Sequence, residues 1–142
     1  QETGSNLEVT GIRVVKYPPD YVSGDNVDND YVYFRYPDVL LMKAEAQLRT
    51  ANAAGARTIV NQIRAARGAS EITTTLTLDN LYDERGRELY WEGWRRQDMI
   101  RFGKFLAAYQ EKPASGQERL LFPIPNQQLA VNPNLKQNPG YN

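Results

Sequence analysis

Tyr36-Pro37-Asp38-Val39-Leu40-Leu41-Met42-Lys43-Ala44-Glu45-Ala46-Gln47-Leu48-Arg49 is the stretch that decides the fold class of this 142-residue chain. Proline suits the first turn of a helix, where its missing N–H has no partner to lose, and Asp38 suits the positive end of the helix dipole. Apolar residues at 39, 40, 41, 42, 44, 46 and 48 cover more than one helix face. That pattern predicts a helix lying between neighbours rather than on a surface. Asn52 and Gly55 mark a short turn. Ala56, Ile59, Val60, Ile63 and Ala66 then recur at amphipathic spacing, predicting a second helix from about Ala56 to Arg67 with Gly68 just past its end. Arg35 to Gly68 spans 34 positions, the period of a tetratricopeptide helix hairpin, and Ala44 and Ala56 fall where small residues let such helices approach. An ordinary αα-hairpin has the same length, and one unit does not separate the two.

Outward from this hairpin the chain is less regular. Before it, Gln1 to Phe34 reads as an irregular or extended lead-in, with a short strand possible over Gly11–Tyr17 until Pro18-Pro19 stops it. Beyond it, a threonine-rich linker leads to Thr77, a helix cap with Asp79 and Asn80 in the first turn. This third helix is expected to run to about Trp91, with a short helical piece over Arg95–Phe102. From Leu120 onward prolines stand at 123, 125, 133 and 139, which rules out a long helix or a central strand. The tail is predicted to be an ordered, extended strap with one helical turn near Asn126–Leu129. Its apolar residues between Leu120 and Leu135 are expected to clamp across the helices. The fold class is therefore mainly α: a tetratricopeptide-like hairpin, a third helix and a proline-rich C-terminal strap, with residues 35–142 forming the helical domain and 1–34 leading into it.

Composition narrows the chemistry. The chain has 17 basic and 17 acidic residues, so nothing electrostatic favours nucleic acid or an anionic membrane surface. No apolar run approaches the roughly 20 residues that span a bilayer. Cysteine and histidine are both absent, which excludes thiolate chemistry, a Ser-His-Asp triad and the usual zinc sites. No cofactor motif is present. Asn26, Asp28 and Asp30 alternate like the opening of a calcium loop, but Tyr31 and Pro37 stand where the loop needs glycine and glutamate. A solvated turn is expected there.

Three blocks together resemble the SusD/RagB family of outer-membrane nutrient-uptake lipoproteins. The first runs from Phe34-Arg35-Tyr36 to Ala44-Glu45-Ala46. The second, and most specific, runs from Asp83-Glu84-Arg85 through Glu88-Leu89-Tyr90-Trp91-Glu92-Gly93-Trp94-Arg95-Arg96-Gln97-Asp98 to Phe102-Gly103. The third joins Phe122-Pro123-Ile124-Pro125 to Asn132-Pro133-Asn134-Leu135 and Asn138-Pro139-Gly140-Tyr141. The resemblance implies a non-enzymatic protein that captures oligosaccharides on the outward face of the outer membrane. It also implies delivery to a TonB-dependent, SusC-like transporter, with membrane attachment only through a lipid anchor that this chain lacks. Family members are several times longer, so the chain corresponds to a C-terminal portion. A tetratricopeptide-like protein-interaction module without a ligand site of its own is the alternative reading.

Two candidate sites follow. Glu84, Glu88 and Glu92 recur every four residues, the separation at which two carboxylates on a helix invite a glycosidase reading. Arginines at 85, 87, 95 and 96 lie at helical offsets from them, however, and an adjacent arginine lowers a carboxylate pKa where a general acid needs it raised. These acids are expected to form structural ion pairs. Tyr90, Trp91 and Trp94 are expected in the core. Sugar-stacking aromatics are better sought on loops over a rigid scaffold, which selects Tyr17, Tyr21 and Tyr31 as the candidate ligand-binding residues.

Overall fold

Pro37 stands in the first turn of α1 (Tyr36–Arg49) in the computed structural model of the chain, which describes residues 14–141. Thr50 closes α1, donating its hydroxyl to the Ala46 carbonyl at 2.9 Å. Asn52 then caps α2 (Ala53–Ala66) by accepting the Gly55 N–H at 3.0 Å, so α2 begins three residues before the apolar spacing suggests. An asparagine oxygen satisfies one of the orphan N–H groups of a first turn, and the helix extends back to it. Thr77 and Asn80 form a reciprocal capping box at the start of α3 (Leu78–Glu88). After a turn come α4 (Arg95–Arg101), a 3-10 turn (Gln117–Leu120) and the short α5 (Asn126–Val131). Among the described residues there is no β-strand, only one bridge pair, Tyr109–Lys112.

The core lies where α1, α2 and α3 meet. Leu41, Ala44, Ala56, Ile59, Val60, Ile63, Leu76 and Leu81 form one buried cluster, with Leu40 and Leu48 partly buried against it. Each large aliphatic side chain removed from water contributes about 1.5–3 kcal/mol. Ala44 and Ala56 are both fully buried, as expected of small residues that let two helices pack closely. The linker after α2 is pinned by polar groups: Asn61 bonds both the carbonyl and the N–H of Ile72. That places Leu76 in the core.

Three expectations are corrected. The third helix stops at Glu88, not Trp91. The Arg35 guanidinium donates to the Glu88 carbonyl at 2.8 Å, a cation capping the negative end of the helix, and Trp91 turns to a left-handed φ of 66°. The tail is ordered, with its helical turn at α5, but it does not clamp its apolar residues across the helices: Leu121, Phe122 and Val131 are more than half exposed. Hydrogen bonds hold it instead. Gln137 pairs with both backbone groups of Ile124, Asn138 donates to the Phe122 carbonyl, and the Tyr141 hydroxyl donates to the Leu121 carbonyl. Prolines remove backbone donors, so amide side chains supply the order that burial was expected to give. The strand proposed over Gly11–Tyr17 lies partly outside the described residues, and its remainder, 14–17, is not a strand.

By packing, the chain divides into two units, Gln1–Tyr33 and Phe34–Asn142. The described part of the first is loop. Asp20 donates its N–H to Asn29 Oδ1 at 2.6 Å, Asn29 donates to the Pro18 carbonyl at 3.2 Å, and Ser23 bonds Asp28. These closures make a compact loop from its own polar side chains. Asp28 is thereby engaged as a turn residue, and no group of three metal-ligating side chains occurs among the described residues.

Candidate functional site

The helical unit contains three clusters of paired arginines and carboxylates. Arg85, 2% exposed, donates from Nε to Asp98 Oδ2 at 2.8 Å and from Nη1 to Asp38 Oδ1 at 3.0 Å. Asp98 also accepts from Arg101, and Arg101 reaches Glu45 at 2.7 Å, which Arg49 meets in turn. A second cluster joins Glu92, Arg35, Glu88 and Arg67. A third holds Glu84 between Arg64 and Arg87. Glu84 and Glu88 of α3, and Glu92 just beyond its end, are ion-paired with arginine, as expected. Their partners come mainly from other elements, however: Arg35, Arg64 and Arg67. Arg95 instead lies over the Tyr82 ring at 3.7 Å, a cation–π contact. It passes close to Gly86, where a Cβ would sit 2.6 Å from its guanidinium.

Asp38 and Glu45 are buried ion-pair partners beyond those expected above, and the sequence carries a signal for them. Asp38, Leu41, Glu45 and Leu48 share one face of α1 at three- and four-residue spacing, so two acids sit inside an apolar stripe. Burial alone would raise the Glu45 pKa, but hydrogen bonds from Arg101 and Arg49 outweigh it and leave the pKa lowered. Glu88 follows the same logic: burial raises, Arg67 and Arg35 lower, and the net direction is down. This is the wrong direction for a general acid.

Acid sensitivity follows from these directions. A depressed folded-state pKa contributes stability that is complete above the ordinary carboxylate range and is lost as pH falls through the folded value. The thermal midpoint should therefore be flat from pH 7 to about 5 and fall below roughly pH 4. Glu88→Gln should lower the plateau and flatten the acid limb in scanning calorimetry. A wild-type limb that Glu88→Gln and Glu45→Gln both leave unaltered would contradict this account.

Between α3 and α4 the chain forms an aromatic ledge. Tyr90 and Trp91, expected in the core, are 53% and 70% exposed, with ring centroids 6.0 Å apart. Their exposure follows from the early end of α3, which takes both rings off the buried helix face. A left-handed φ is a strained conformation for a bulky residue. Trp94 is half-buried, and its ring meets Phe34 at 5.9 Å. Leu89, Tyr90, Trp91, Trp94, Arg95 and Arg96 line an open cleft of about 630 Å3, a volume in the range of small-ligand clefts. Flat rings beside guanidinium donors can meet a sugar's C–H face and its hydroxyls.

In the loop unit, Tyr17, Tyr21 and Tyr31 are 44%, 64% and 70% exposed. Tyr31 packs edge-on against Tyr33 at 4.9 Å, so Tyr33 joins the candidate residues of this loop. Tyr21 makes no ring contact with Tyr31. The backbone carbonyl of Tyr21 accepts from Gly24 in the turn.

The sequence model described as the SusD family matches residues 2–118. The chain belongs to the SusD family. SusD-like protein P38 of Formosa agariphila is 32% identical to it across 92% of this chain and 28% of its own length. The starch-binding protein SusD of Bacteroides thetaiotaomicron is 31% identical across 92% of this chain and 26% of its own. Among solved structures, surface glycan-binding protein A from Bacteroides uniformis superposes with a TM-score of 0.72 at 27% identity, over 87% of this chain and 30% of that one. This SusD-family chain thus spans between a quarter and a third of the length of the relatives it matches. No helix among its described residues is long and apolar enough to cross a membrane.

Proposed function

We propose that this SusD-family protein captures oligosaccharides at the cell surface without transforming them. It would present them to a TonB-dependent transporter in the outer membrane. The observation that carries this reading is the 31% identity, along nearly the whole chain, to a protein named for binding starch. A solved relative named as a surface glycan-binding protein favours the same class of ligand and the outward location. Chemistry agrees: the acids that would serve a glycosidase are tied to arginines, while exposed tyrosines and tryptophan offer stacking surfaces. Tyr17, Tyr21 and Tyr31 are the proposed loop contacts, and Trp91 of the helical unit offers a further stacking surface.

The test is isothermal titration of the full-length protein against a panel of oligosaccharides, with product analysis after long incubation. Binding without cleavage is expected. Tyr21→Ala, Tyr31→Ala and Trp91→Ala should each raise Kd at least about tenfold if that ring stacks on sugar, as loss of roughly 1.4 kcal/mol implies. Hydrolysis abolished by Glu88→Gln would overturn the non-catalytic reading. No affinity for any glycan would overturn the reading as a whole.

A further inference from the structure

Among the described residues every arginine but Arg57, Arg95 and Arg96 pairs with a carboxylate. Arg57 donates to the carbonyls of Thr73 and Thr74 and does not line the cleft of the aromatic ledge. Arg95 and Arg96 are consecutive on α4, and both line it. Aromatic rings hold each of them in place. Arg95 lies 3.7 Å from the centre of the Tyr82 ring, and Arg96 lies 4.2 Å from that of Phe122 and 4.9 Å from that of Phe105. Each makes a single hydrogen bond among the described residues: Arg95 donates to the Tyr82 carbonyl and Arg96 to the Arg119 carbonyl, both at 3.0 Å. A guanidinium carries its N–H donors in one plane, so a ring against its face leaves that donor edge open. The other arginines of the cleft are already neutralised, Arg85 by Asp98 and Arg87 by Glu84. Asp83 is the one acid lining the cleft without an ion pair among the described residues, and it stands against two such cations.

On the reading of glycan capture above, on which this inference rests, we propose that this cleft selects acidic oligosaccharides. Arg95 and Arg96 hold a carboxylate or sulfate of the ligand while Trp91 stacks on a sugar ring. An anionic group of that kind accepts two parallel N–H bonds from a guanidinium edge, a charge-assisted pairing that a sugar hydroxyl does not match. Rings already fix both arginines, so binding costs little further side-chain freedom. A neutral glycan would use the same rings and leave both cations without a counter-charge.

The test is isothermal titration of the full-length protein with oligosaccharides in pairs that differ only in charge. Galacturonate oligomers are matched with their methyl esters, and kappa-carrageenan oligomers with their desulfated forms. In at least one pair the acidic member should bind at least about tenfold more tightly, a ratio that shrinks as ionic strength rises past roughly 0.1 M. The pair that shows it tells carboxylate from sulfate. Arg95→Gln and Arg96→Gln should each cut the ratio at least about threefold. Arg96→Lys should keep more of it than Arg96→Gln, because the charge stays and only the planar edge is lost. Arg57→Gln should leave it unchanged, and Trp91→Ala should weaken both members of the pair together. The wild-type ratio alone is decisive even if a variant folds poorly: acidic members that bind no tighter than their neutral partners in both pairs would overturn the proposal. So would a preference that survives Arg95→Gln and Arg96→Gln combined, since the acid would then be held elsewhere. Either result, with a neutral oligosaccharide still bound, leaves glycan capture standing. No affinity for any sugar, acidic or neutral, would overturn both.

Discussion

Arg85→Leu is expected to destabilise the helical unit by about 3–5 kcal/mol, read as a lowered urea midpoint at unchanged m-value. Arg85, Asp38 and Asp98 are 2%, 0% and 1% exposed. The guanidinium supplies Asp38's hydrogen bond and one of those reaching Asp98. Without it, two carboxylates stay buried with no cation between them, which costs far more than the intact cluster contributes net. Against a total stability of about 5–15 kcal/mol, that loss leaves a marginal or molten chain. Arg85→Lys should be damaging too, because an ammonium cannot extend two arms in one plane to acids on different helices. The companion variant carries leucine at 38, 85 and 98 together and should recover much of the loss, since no buried charge is then left over. An unchanged midpoint for Arg85→Leu would mean that the cluster is not buried as described.

Leu41→Ala is the second large effect, expected at about 2–5 kcal/mol in the same denaturation experiment. Leu41 has no exposed surface and sits in the cluster shared by α1, α2 and α3. Truncation leaves a cavity that close-packed neighbours only partly fill. Leu40→Ala should cost distinctly less, because Leu40 is only partly buried against that cluster. The ranking tests the rotation of α1 as well as its core. One residue is about 100° around a helix, so a larger effect at Leu40 would require α1 to be turned by that amount. It would also bring Arg85's partner Asp38 out of the interior.

Local features of this chain were legible in its residues. The hairpin of α1 and α2, the Thr77 cap of α3, the short α4 and the turn at α5 rest on propensity, capping and apolar period, which act over three or four positions. So does the pairing of Glu84, Glu88 and Glu92 with arginine, as a class of interaction. The choice of partner is another matter. Asp38 meets Arg85 across 47 residues and Arg35 meets Glu88 across 53, and a helical wheel of either segment has no means of ranking the arginines it might meet. Continuing α3 through Tyr90 and Trp91 would bury them; the Arg35 side chain, arriving from a distant segment, caps the helix first, and both rings are exposed. The apolar content of the tail predicts a clamp, whereas Gln137 and Asn138 order it through hydrogen bonds to the backbone. By itself, then, the sequence determined where helices form and that their acids would be neutralised by arginine, because those outcomes depend on neighbours along the chain. Tertiary structure alone decided which arginine serves which acid, where α3 stops and which aromatic rings face solvent, because each depends on side chains that only folding brings within 3 Å of one another.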